Sequence, residues 1–344
     1  MAGRRGDTKK KAKRIKFSIP YNGDLALTEE ALGSGQVLEV YFAGPGKYNF
    51  SSPYVEWKGH SQEEIEELVR LCARCGVRTN FLVNKYTLFF EDLGRIEKYV
   101  RRLRKAAEIS TITVSDPYIV PHLKKRFPRI RLQSSIFMGI DCVPKAVEAL
   151  RSGIDDLCLD PSVNRSFTEL SGIMRLKKSY PGMLVKLLGF HGCYASCFYA
   201  WRHAGLPVLH DVSSRVGPKS GARMFGRKLD HDGCLYRTQD ISDEIKRPFI
   251  RPEDIVFYEK HGLADCIKLA YRDDPSELLR EKFIACFERS YRGDLFHILG
   301  SNQHAGLACD NTKFPAGFIR KVMRCDKICD GCDYCDRLAG DCIE

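Results

Sequence analysis

Short apolar segments recur along most of this chain, and a stretch of helical periodicity lies between most of them. KFSIPYN, LEVYFAGP, RTNFLVNK, STITVSD, IRLQSSIF, IDDLCLDPS and MLVKLLGFH begin near residues 16, 38, 78, 110, 130, 154 and 183, and ADCIKLAY begins near 264. Each is rich in branched or aromatic side chains, as a strand buried on both faces should be. Eight buried strands alternating with helices predict an α/β fold, a (β/α)8 TIM-like barrel. A doubly wound open sheet is the alternative, because strand spacing does not show closure. At 344 residues and 44% hydrophobic, the chain can bury a core of that size.

The intervening segments carry helix signals. In SQEEIEELVRLCARCG, Ser61 and Glu64 form a capping-box pattern, Ile65, Leu68, Val69 and Cys72 share one face, and Gly76 closes the helix. Asp141 is placed to cap a later helix with Val147 and Leu150 inward, and SFTELSGIMRLKKSY and PSELLREKFIACFERSY follow later strands. The rhythm breaks between the seventh and eighth strands, which are much further apart than a normal connection. The expected organisation is a basic tail over 1–16, a barrel over 17–300 with an insertion at 191–263, and a cysteine-rich module over 301–344.

Fifteen cysteines are a high and odd number. The N-terminus lacks an apolar stretch of the secretory kind, so disulfides are not expected, a cytoplasmic location is, and grouped cysteines read as metal or cluster ligands. HGCYASC places His191, Cys193 and Cys197 directly after the seventh strand, at the end of a barrel where active sites are built, and Cys234 is the natural third thiolate. Thiolates suit an iron–sulfur cluster or zinc. Cys325, Cys329, Cys332 and Cys335 follow a C-x3-C-x2-C-x2-C spacing, with Cys342 beyond, and accept either a 4Fe-4S cluster or zinc. The first three of these also match the radical S-adenosylmethionine spacing, though that motif normally follows the first barrel strand. Cys72 and Cys75, and the scattered Cys142, Cys158, Cys266 and Cys286, read as packing, with Cys266 and Cys309 as outlying ligand candidates.

Polar residues at strand ends would face the barrel mouth. Asp160, Arg165, His191 and Arg272 are the catalytic candidates, and Lys85, Asn164 and Lys268 the substrate-binding ones. Arg165 and Arg272 could clamp a carboxylate or phosphate. A small-molecule substrate is expected, with an electron donor or partner protein beside it. No nucleophile elbow or phosphate-cradling loop is evident. Residues 1–16 hold eight Lys/Arg and one Asp, net +7 of the chain's +11. Such a tail either solubilises or touches RNA. No apolar run is long enough to span a membrane.

Three segments, LDPSVNRSFTELSGI, KLLGFHGCYASC and FIRPEDIVFYEKHGLADCIKLAYR, resemble the collagenase-like peptidase family U32. The likeness runs from about residue 36 to 295, and is most specific at 158–199 and 249–272. The family's strand-end His-Gly before the first cluster cysteine matches His191-Gly192-Cys193, and its closing segment matches Lys268 to Arg272. The resemblance implies a 4Fe-4S cluster at the mouth on Cys193, Cys197, Cys234 and a fourth cysteine. Ile255-Val256 stands where that fourth ligand falls, so a tail cysteine replaces it or the tail holds a second cluster. The implied activity is oxygen-independent hydroxylation, or a related modification, of a small molecule. RNA modification, peptidase activity, radical chemistry and a non-catalytic cluster scaffold are the alternatives.

Overall fold

The computed structural model describes residues 14–51, 59–85, 88–190, 197, 240–300 and 306–344. Eight parallel strands lie within them: β1 Lys16–Pro20, β2 Val37–Phe42, β3 Arg78–Val83, β4 Thr111–Val114, β5 Arg131–Ser134, β6 Leu157–Cys158, β7 Val185–Leu188 and β8 Cys266–Lys268. Each begins within about three residues of the position its apolar segment marks. Pairing runs β5-β4-β3-β2-β1-β8-β7-β6, and β1 meets β8 with Phe17 opposite Ile267.

The seam between β5 and β6 closes the barrel by a single backbone bridge, Gln133 to Asp156. Side chains complete it. Ser134 Oγ accepts from the Cys158 amide at 2.9 Å, and Arg131 donates to Asp156 at 2.6 Å. The open-sheet alternative is therefore set aside.

The helices outside the barrel are α1 Leu25–Gly33, α2 Gln62–Arg74, α3 Phe90–Ala106, α4 Val120–Arg126, α5 Val143–Ser152, α6 Phe167–Arg175, α7 Asp243–Lys246, α8 Ile255–His261, α9 Ser276–Glu288 and α10 Leu295–Leu299. The capping box at α2 forms as expected, with Ser61 Oγ accepting from Glu64 N at 3.1 Å and Glu64 accepting from Ser61 N at 2.6 Å. The cap of α5 differs. Cys142 occupies that position, and Asp141 pairs instead with Lys145 at 2.8 Å. The helix starts one residue later than expected, and Ala146 rather than Val147 is fully buried along with Leu150. Within the 191–263 segment, α8 is the regular crossover helix leading into β8.

The barrel waist is polar, which the strand patterns did not announce. Ser18, Glu39, Asn80, Thr113, Gln133 and Lys186 are all buried inside it. Lys186 Nζ meets Glu39 Oε2 at 2.5 Å and also donates to Gln133. Glu39 Oε1 accepts from Ser18 Oγ at 2.7 Å and Asn80 Nδ2 at 2.9 Å. Thr113 Oγ1 donates to Asn80 Oδ1 at 2.8 Å and accepts from Gln133 Nε2 at 3.1 Å. Two buried charges persist because they meet each other and every neighbour donates or accepts. Burial opposes ionisation of Glu39, yet the Lys186 ammonium and these hydrogen bonds hold its carboxyl below the ordinary value.

The C-terminal segment packs on this body through α11 Phe318–Val322 and α12 Tyr334–Cys342. Phe318 stacks on Phe249 with ring centroids 6.2 Å apart. Phe318, Val322, Leu338 and Cys342 belong to the same core as the barrel.

Candidate active site at the barrel mouth

In a parallel barrel every strand ends at one face, so the loops after β1 to β8 share a rim. β7 delivers the chain to that rim at Gly189 and Phe190. A Cβ on Gly189 would lie 2.7 Å from Ile267 Cγ2, so β7 passes β8 here only because position 189 has no side chain. His191, Cys193 and Cys234 lie outside the described residues. Cys197 is partly exposed.

Lys268, at the end of β8, is the most informative side chain of the rim. Its ammonium sits 4.2 Å from the centroid of the Tyr41 ring, and Tyr41 is fixed by donating its hydroxyl to the Leu269 carbonyl at 2.6 Å. Burial lowers the pKa of Lys268. The neighbouring Cys158 thiol and Glu39 act in the opposite sense, and Arg272 and Lys186 lower it further. Two other deeply placed lysines have an acid of their own: Lys186 has Glu39 and Lys282 has Asp274. Lys268 has a ring and no carboxylate within ion-pair distance among the described residues. Arg272, also lowered by burial, donates from Nη2 to Ser51 Oγ at 2.9 Å and so ties the end of β8 to the loop after β2.

The other expected residues have different engagements. Asp160 caps the turn after β6, accepting from Ser162 N at 2.8 Å. Asn164 Nδ2 donates to the Leu188 and Pro248 carbonyls, both at 2.8 Å. Arg165 donates to the Ile245 carbonyl at 2.7 Å and stacks on Phe249 and Phe318, 4.4 and 5.1 Å from the ring centroids. Asn164 and Arg165 thus peg residues 245–249 and the C-terminal segment onto the barrel. Lys85 holds two loops through its backbone, donating to Phe50 O at 2.8 Å and accepting from Ser115 Oγ. Tyr41 and Cys158, which flank Lys268, were not foreseen. Their signal was available, since a residue two positions from an inward-facing one on a strand faces inward as well.

The tail cysteines stand on the same side of the mouth as the turn after β6. Lys327 Nζ lies 3.5 Å from Ser162 O, and Lys246 of α7 lies 3.7 Å from Asp336 of α12. Cys325, Cys329 and Cys332 are exposed and Cys335 partly so. Cys325 Sγ accepts from Lys327 N at 3.3 Å, with Lys327 in a left-handed turn at φ 65°. Among the described residues no three His, Cys, Asp or Glu side chains converge tightly enough to hold an ion. The donor set fits a thiophilic centre in kind, and residues 325–332 must close on Cys335 to form one. Cys342 lies apart, a buried free thiol hydrogen-bonded to the free thiol of Cys309.

Comparison with known proteins shows what the chain is similar to. Residues 29–175, from α1 through α6, match the family model of peptidase family U32. The chain is also 25% identical, over 243 residues, to an uncharacterized protease of Methanocaldococcus jannaschii, covering 67% of this chain and 65% of the relative, somewhat under two thirds of that protein's length. Among solved structures, the U32 peptidase Mk0906 is 16% identical, with 78% of this chain and 98% of that chain covered and a TM-score of 0.49. A tryptophan synthase of Mycobacterium tuberculosis is 7% identical, with 85% and 94% covered and a TM-score of 0.42. The U32 family is named for peptidases. Among the described residues no helix is long and apolar enough to cross a membrane.

Proposed function

We propose that this U32-type barrel is a redox enzyme acting on a small, oxygen-bearing anion held at the mouth. The observation that carries the reading is Lys268: a largely buried ammonium with Arg272 nearby and no carboxylate partner among the described residues. A site of this kind costs stability while empty and recovers it when an anionic group arrives. Tyr41 holds the ammonium in place, and Ser51 holds Arg272, so little ordering remains to be done on binding.

Cys193, Cys197 and Cys234 are the residues that would hold an iron–sulfur cluster, because the chain carrying them leaves the barrel at this rim. Such a cluster, with an open iron position, supplies redox and Lewis-acid chemistry to a bound oxygen. The four tail cysteines would hold a second centre, a cluster or zinc, next to the turn after β6. Lys268 and Arg272 orient the anion by charge.

The test is binding of short carboxylates such as pyruvate and glyoxylate to the purified protein, followed by calorimetry. Lys268→Met should weaken binding about 10- to 100-fold, the value of one charge-assisted hydrogen bond. Equal affinity in both proteins would remove Lys268 from the site.

A further inference from the structure

The end of the barrel opposite the mouth carries a second charged surface, which the reaction does not use. Each helix of a parallel barrel ends where the next strand begins, so the C-terminal ends of α2, α3 and α4 lie side by side there. Exposed Arg74, Arg104, Lys105, Lys125 and Arg129 line this arc. None has an ion-pair partner among the described residues, whereas the cations around them do: Arg102 pairs with Glu66, Arg126 with Glu97, Lys124 with Asp155 and Arg131 with Asp156. Glu108 is the exposed acid between α3 and β4. A cation in the last turn of a helix is ordinary, since it complements the dipole. Arg104 and Lys105 on α3, and Lys124, Lys125 and Arg126 with Arg129 after α4, exceed that need. β1 starts at the same end, preceded by Arg14 and by residues 1–13, which add six Lys/Arg and one Asp.

We propose that this face docks the phosphate backbone of a nucleic-acid duplex. The exposed large apolar side chains of the described residues are Phe90, Tyr118, Phe167, Ile241, Val256, Ile284 and Ile328. None lies at the C-terminal ends of α2, α3 or α4. Among the described residues the face therefore has no wedge to enter a lipid surface and no ring on which an unpaired base could stack. Spaced, unpaired cations are what a row of phosphates requires. The mouth points the other way, so a duplex bound here is a docking partner rather than the reacting molecule, and the proposal stands apart from the proposed reaction.

The test is fluorescence anisotropy of labelled RNA and DNA duplexes with the full chain at low and high salt. The test variant combines Arg104→Glu, Lys105→Glu, Lys125→Glu and Arg129→Glu, and a second version carries Gln at the same positions. The control places Arg175→Glu, Lys178→Glu and Lys260→Glu at exposed ends of α6 and α8 and the stretch after α6. Thermal unfolding of each confirms the fold. The wild type should bind with steep salt dependence. The test variant should lose about 10-fold or more in affinity, with the slope of log affinity against log salt falling by about one for each phosphate contact removed, while the control stays close to wild type. The proposal is overturned if the folded test variants bind as the wild type does. It is also overturned if removing residues 1–13 alone abolishes binding, or if anionic vesicles bind more tightly than either duplex.

Discussion

At the residue scale, the site turns on how one lysine is surrounded. A lysine among ordinary surroundings keeps its ammonium to high pH, but burial lowers Lys268, with Arg272 and Lys186 adding to the effect. The ammonium is the form that attracts an anion. Carboxylate binding should therefore weaken as pH rises, beginning below the pH at which an ordinary lysine titrates, and Lys268→Met should bind weakly with no such dependence. Calorimetry across alkaline pH checks this; a wild-type profile flat to the ordinary lysine range would contradict it. The position of Lys268 was legible in the sequence as the end of an apolar strand. Its special environment was not, because Tyr41 and Cys158 come from two other strands, β2 and β6. Arg165 illustrates the opposite outcome. As an arginine after a strand it read as an anion clamp, yet its donors meet carbonyls of residues 245 and 249, which no local pattern announces.

At the scale of elements, the strands and the cap of α2 were legible because their causes are local. Ser61→Ala removes the side-chain acceptor for Glu64 N and should cost about 1 kcal/mol, read from chemical denaturation. The polar waist was less legible. VLEVYF and VKLL each carry one charge in an apolar run, but only closure of the barrel shows that Glu39 and Lys186 meet. Removing one partner leaves the other charged and buried, so Glu39→Ala or Lys186→Ala alone should cost about 3–5 kcal/mol. Glu39→Leu with Lys186→Met should cost clearly less than the sum of the single changes. Additive losses in denaturation would show that the pair does not interact. The same pair gives a pH dependence. Glu39 is held below its ordinary pKa, so the stability it contributes is present above the unfolded value and is lost as pH falls through the lower folded one.

At the scale of the whole molecule, the C-terminal segment is part of the barrel's packing. Leu338, Ala339 and Cys342 are buried in the shared core, so cutting the chain before Cys325 would remove packing along with ligands. Replacing exposed Cys325, Cys329 and Cys332 by Ser separates the two effects, and the thermal midpoint of that variant without metal should stay close to wild type. A large drop would mean that these side chains support the fold directly. The two groups of cysteines were visible in the sequence as spacings. That the end of β7 and the tail cysteines reach one rim of the barrel follows only from the order in which strands close around it.

The most direct test of a thiolate-held cluster at the mouth is the iron and acid-labile sulfide content of the anaerobically purified chain. It should be compared with a variant carrying Cys193→Ser and Cys234→Ser and with the tail variant. Iron and sulfide are expected in the wild type, with a marked loss in the first variant and retention of the mouth's share in the second. A colourless wild type with stoichiometric zinc, or iron and sulfide unchanged by the loss of Cys193 and Cys234, would contradict this expectation.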